Sequence, residues 1–225
     1  VRVLAPVLDE VGVAARPRPA ARERVVAVPA ALGALLPDGG LRAGTAVTVL
    51  GATSLALALA AGASAAGAWC AAVGADDLGV LAAAEYGIAL ERFPLVRADR
   101  ATWARATAAL LDAFDLVLAW PQHDVAPALV RRLRTLVRER GAVLVVCGRR
   151  WAGVELEIEA TATRWEGLGD GHGRLRARAF DVRVGGRGAA ARERRARIWL
   201  PSSDGTIFAE PAIVPPRIGD ERTVG

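Results

Sequence analysis

The residues best placed to do chemistry are Gly51-Ala52-Thr53-Ser54. They stand between an apolar, β-branched run (46–50) and a stretch rich in Leu and Ala (55–61). Strand, glycine turn and helix form the frame in which a G-x-x-x-x-G-K-[ST] loop holds phosphates with backbone N–H groups and one lysine. Here the frame is present and the loop is missing. Ala52 stands at the lysine position, the preceding loop residues are absent, and the chain contains no lysine at all. A hydrogen bond to a charged group contributes roughly 1.5–3 kcal/mol, so four or five of them supply about 6–12 kcal/mol. A micromolar site needs about 8 kcal/mol. Losing these bonds removes most of the affinity for a triphosphate. On these residues alone, an ordinary strand–turn–helix is favoured over a nucleotide fold that has lost its ligand. Thr53 and Ser54 are expected to cap the helix.

Other candidates carry less. Asp76 and Asp77 could pair on a metal, but adjacent acids after a strand more often cap the next helix, expected to begin at Leu78. His123 sits in a strand exit loop, where parallel sheets place functional residues, yet it stands alone. His172 lies in the glycine-rich stretch 167–173, which turn formation explains. Cys70 and Cys147 occupy apolar runs without ligand spacing and read as buried thiols. No metal and no cofactor is expected, and no catalytic constellation emerges.

The arginines are more suggestive. On a strand, Arg174, Arg176 and Arg178 share one side, with Leu175 on the other. Such a row, with Arg183 further on and Trp165 nearby, could meet phosphate or an acidic partner. A wet sheet face in an arginine-biased composition explains it equally well, and Trp165 could equally fill the core. Arg131, Arg134 and Arg138 read as a solvated helix face. The net charge is +5 and every basic residue is arginine; this permits nucleic-acid contact without establishing it. With 225 residues, 53% of them hydrophobic, the chain supports one sizeable core. No apolar run reaches membrane-spanning length and no leader pattern opens the chain, so a cytoplasmic protein without membrane contact is expected.

The elements that position these residues alternate. Residues 1–24 read as an arm and linker, 25–208 as one domain, and 209–225 as a loose tail. Strands are expected at 46–50, 68–73, 93–97, 116–120 and 142–147, and helices at 53–66, 78–86, 102–114 and 125–140. That alternation predicts an α/β fold with a mainly parallel sheet flanked by helices. Period-two patterning at 155–163, 174–184 and 196–200 predicts antiparallel strands extending the sheet.

This order resembles the RecA core. The short helix before Gly39-Gly40-Leu41, the turn at 51–55 and the segment 82–90 carry the likeness. The strands 116–120 and 142–147 fall where RecA has its acidic Walker B strand and the next core strand. Within that superfamily, the stretch 164–178 resembles actinobacterial ImuA-type accessory factors of DNA-damage-induced mutagenesis. The resemblance implies partnership with a Y-family polymerase homologue of the ImuB type and an error-prone replicative-type DNA polymerase. The departures imply lost chemistry: the phosphate loop is degenerate, the Walker B acid is replaced by Trp120, and Asp76-Asp77 only loosely matches the catalytic glutamate region. A non-catalytic adaptor, possible DNA contact included, is therefore expected. The alternatives are a nucleotide-gated ATPase with an unorthodox loop and a SulA-like cell-division inhibitor.

Overall fold

The computed structural model describes residues 24–169 and 172–210. The residues before Arg24 and the tail from Pro211 therefore lie outside the described part, as does most of the expected N-terminal arm. Arg24 itself is anchored: its guanidinium donates to Asp115 Oδ1 at 2.7 Å and to the Gly141 carbonyl at 2.5 Å.

A small ladder, β1 (Val25–Val26) with β2 (Leu41–Arg42), brackets α1 (Ala30–Gly33). The body is a nine-stranded sheet. Its strands in chain order are β3 (Ala46–Leu50), β4 (Cys70–Val73), β5 (Leu95–Val96), β6 (Leu116–Ala119), β7 (Val143–Cys147), β8 (Leu156–Gly169), β9 (His172–Gly186), β10 (Arg194–Trp199) and β11 (Phe208–Ala209). Across the sheet the order is β11-β10-β9-β8-β3-β7-β6-β4-β5. From β8 to β5 every pairing is parallel; from β8 to β11 every pairing is antiparallel.

Helices cover both faces, as wholly apolar central strands require. On one face α2 (Thr53–Ala65), with α1 and α3 (Val80–Glu85), closes a core that includes Leu55, Leu59, Leu118, Val145, Ile158 and Phe180. On the other, α4 (Trp103–Ala113) and α5 (Pro127–Arg140) bury Trp103, Leu110, Leu133 and Val137 against Val117, Leu144 and Val146. Helix α2 is apolar all round because it is enclosed all round. The chain at Val28 and Pro29 crosses Gly62 so closely that a Cβ there would lie 2.5 Å from Val28 backbone. Helix α5 has Pro127 in its first turn and ends at Gly141 in the left-handed region (φ 61°).

Three expectations need correction. The expected antiparallel extension is present from β8 to β11, but β8 itself joins the sheet parallel to β3, Val47 opposite Leu156. The link of residues 148–155 looks short enough for a hairpin. Extended, however, it spans about 26 Å, more than the roughly 17 Å of a five-residue strand. It recrosses the sheet without a helix, burying Trp151 and Val154 on the α4–α5 face. Next, α3 begins at Val80, with Gly79 as N-cap and no side-chain capping bond, so Asp76 and Asp77 do not cap it. Finally, Ala209 and Glu210, expected to open the loose tail, are held to the sheet: β11 pairs with β10, and the Glu210 N–H donates to the Arg197 carbonyl at 2.9 Å.

Candidate functional site

In parallel sheets the C-terminal strand ends border the crevice that binds ligands. Here the ends of β3, β4 and β6 lead to residues that line a crevice of about 770 Å³, within the usual range for small-molecule sites. Its floor includes Thr53, Ser54 and Leu57 of α2; one wall is 77–79 with Ala82, Glu85 and Tyr86; Trp120 follows β6. The remaining wall is the β8–β9 hairpin, through Trp165 and Leu175 to Arg178, with Leu200 and Pro201 behind it.

The glycine turn is short and closely packed against β8. Gly51 is left-handed (φ 86°), and a Cβ there would lie 1.8 Å from the Ala160 carbonyl oxygen. Strand β8 thus runs directly over the turn. Ala52 is extended and serves as N-cap of α2 without any side-chain bond. The expectation that Thr53 and Ser54 cap the helix is therefore corrected. The helix starts at Thr53, so both hydroxyls fall inside its first turn. Ser54 Oγ is buried beside the Tyr86 phenol but meets no partner at bonding geometry. Burial pushes the Tyr86 phenol above its ordinary pKa, against smaller lowering effects from Ser54 and Arg178.

Trp120 lines the crevice at the position where the resemblance would place an acid, and its backbone N–H donates to the Val73 carbonyl at 2.9 Å. Trp165 is 51% exposed rather than core. The arginine row breaks apart. Arg176 is exposed at the crevice; the side chain of Arg174 lies outside the described residues. Arg178 is half-buried, because its side of β9 continues into the core through Phe180, Val182 and Val184. Its guanidinium lies 4.4 Å from the Trp165 ring centroid and 4.3 Å from that of Phe180. Arg183 leaves the site altogether. It points to the opposite face and pairs with Glu159 and, at 3.0 Å, with Glu193, which raises its pKa.

The other candidates have structural explanations. Asp77 lines the crevice; Asp76 is exposed beside it. His123 packs edge-on against Trp103 at 6.4 Å. The side chain of His172 lies outside the described residues. The helix face expected to be solvated is only partly so. Arg131 is exposed, but Arg134 and Arg138 both donate to Glu155 Oε1, at 3.0 and 2.9 Å. Burial alone would raise the Glu155 pKa; those arginines and the Ala46 N–H outweigh it and lower the value. Both cysteines are buried and free, and burial raises both thiols, Cys70 to about 12. Among the described residues no cluster of His, Cys, Asp or Glu could hold a metal ion, and no helix is long and apolar enough to cross a membrane.

Residues 34–153 match the family model of the MT3502 N-terminal domain, more than half of the chain. The chain belongs to this family. A 141-residue stretch is also 35% identical to the uncharacterized protein Rv3395c of Mycobacterium tuberculosis, covering 61% of this chain and 69% of that protein. In this MT3502-family chain the matched residues supply the parallel sheet through β7 and three sides of the crevice; the hairpin wall lies beyond them. Sequence reasoning singled out Thr53, Ser54, Asp77, Trp120, Trp165, Arg176 and Arg178 of the lining, but missed Tyr86, Leu57 and Leu200–Pro201. A lone tyrosine at a helix end was the available signal.

Proposed function

We propose that this protein is a non-catalytic, RecA-like adaptor that acts by contact in an error-prone translesion-synthesis complex of the DNA-damage response. In this reading it binds a Y-family polymerase homologue of the ImuB type, working with an error-prone replicative-type DNA polymerase, with DNA close by. The observation that carries the reading is the crevice. It lies at the strand ends where a nucleotide fold would hold its ligand, and β8 covers the two-residue turn that would have to wrap the phosphates. Three tryptophan or tyrosine side chains, Trp120, Trp165 and Tyr86, line it instead. Further support is the sheet order: β3 sits between β7 and β8, with β6 two places away, and Thr53 and Ser54, which follow the glycine turn, line the same crevice as Trp120. That arrangement suits a degenerate RecA-like core, a pseudo-ATPase whose scaffold outlasted its chemistry.

Calorimetry tests the loss of chemistry. Mg-ATP is expected to give no binding heat at micromolar concentration and no hydrolysis above background. A micromolar dissociation constant would revive the nucleotide-gated alternative. Titration with the polymerase homologue and, separately, with the cell-division protein then divides the adaptor reading from the SulA-like one.

A further inference from the structure

We infer that the crevice takes a short apolar segment of a partner protein bearing a bulky anchor and, beside it, a single carboxylate. This deepens the proposed function by naming what the contact surface recognises. It rests on that reading only for the partner's identity.

The hairpin side of the opening carries exposed apolar side chains, Trp165 (51% exposed) and Leu175 (46%), and the apolar Leu78 and Ala82 line the same crevice. Exposed apolar surface gathered around one cavity marks a docking site. Behind it, Leu57, Leu78, Ala82 and Trp120 offer room for a side chain that the rim alone would not hold.

The charged side chains that the hairpin brings to the crevice, Arg176 and Arg178, are donors only. Arg178 stacks on Trp165 and Phe180, and its buried Nε has no partner. Among the described residues no carboxylate pairs with it, although the arginines further along the sheet, Arg183, Arg195 and Arg197, are each paired with acids. Stacking fixes a guanidinium and leaves its N–H groups open for a planar, two-oxygen acceptor. The unpartnered Ser54 hydroxyl stands near Tyr86, and Tyr86 in turn feels the Arg178 charge.

Charge balance selects the acceptor. Asp77 and Glu85 line the same crevice as Arg176 and Arg178, so the local field is near neutral. A nucleic-acid strand needs an accumulation of positive charge, and a triphosphate needs a cradle that the turn lacks. One carboxylate needs one guanidinium. An apolar anchor with one acidic neighbour matches the aromatic lining and the open Arg178 guanidinium.

The test uses the full chain and acetylated, fluorescently labelled peptides with a Phe, Trp or Leu anchor beside Asp or Glu, beside Asn or Gln, or beside Lys. Anisotropy is expected to show the acidic peptides binding at least about tenfold more tightly than the amide peptides. Arg178→Gln should remove that preference, a loss of roughly tenfold to a hundredfold. Leu175→Asp, at an exposed position, should weaken acidic peptides most, by repulsion. Thermal melts verify that both variants fold. Equal binding of acidic and amide peptides, no binding, or a preference that survives both folded variants overturns the inference. So does displacement of the peptides by Mg-ATP or by single-stranded oligo-deoxythymidine, which assigns the crevice to a nucleotide or to nucleic acid. Acid preference without polymerase-homologue binding sustains this inference and removes the proposed partner. Polymerase-homologue binding undisturbed by both variants sustains the adaptor and removes this inference.

Discussion

Replacing Gly51 by alanine probes the closed turn directly. Two costs are separable. The left-handed backbone costs an L-residue about 1–2 kcal/mol. The added methyl also meets the Ala160 carbonyl oxygen at 1.8 Å, with the carbonyl carbon at 2.9 Å. Neither atom is the end of a flexible side chain. Relief requires β8 to move away from β3, straining the pairing of Leu50 with Glu159. Overpacking of this kind costs about 1–3 kcal/mol, so Gly51→Ala should destabilise by about 2–5 kcal/mol in total. Gly67→Ala is the matched control: its φ is 84°, and a Cβ there meets nothing within 4 Å. It should cost only about 1–2 kcal/mol. Urea unfolding of the two variants and the wild type measures the difference. Equal destabilisation would refute the reasoning, because it would mean that β8 does not lie over the turn.

Further outcomes are expected elsewhere in the sheet. Thr48 is fully buried with its hydroxyl unpartnered, so Thr48→Val should leave stability unchanged or raise it by about 1 kcal/mol; a marked loss in denaturant midpoint would show a hidden bond. Glu155 has a folded pKa below its unfolded value, so its stabilisation is present above the unfolded value and fades as pH falls through the folded one. Glu155→Gln should therefore destabilise near neutrality by about 1 kcal/mol and flatten the acid limb of the pH–stability curve. Cys70 and Cys147 should resist iodoacetamide at pH 8 in the native protein and react only on unfolding, as buried thiols with raised pKa values do; rapid native-state labelling would contradict their burial. Arg183→Ala should leave partner affinity unchanged while Arg176→Ala with Arg178→Ala weakens it, since only the latter pair lines the crevice.

The parallel half of the fold is legible in the chain because its signals are local. Short, wholly apolar runs at 116–119 and 143–147, bounded by turn residues, fit buried central strands, and Gly141 and Gly87 mark helix ends through their left-handed backbone. What escapes is set by distant contacts. Nothing local reveals that residues 148–155 recross the sheet; that depends on Trp151 finding Trp103, 6.1 Å away between ring centroids. The same holds at the site. Period two places Arg174, Arg176 and Arg178 on one side, but not whether that side is wet. The answer lies in the continuation through Phe180 and Val182 into the core. Arg183 differs from that row in parity, which the spacing alone does show, and its pairing with Glu159 follows from the antiparallel register. The crevice itself is assembled from six separated stretches of chain, so its residues could be picked out only one by one.

The measurement that tests the central claim most directly is co-purification of the full chain with the polymerase homologue, comparing wild type with Arg178→Gln and Leu175→Asp in the absence of nucleotide. A contact-acting scaffold predicts a stable wild-type complex that needs no ATP and weakens in both folded variants. A complex that forms only with Mg-ATP, or no complex at all, would contradict it.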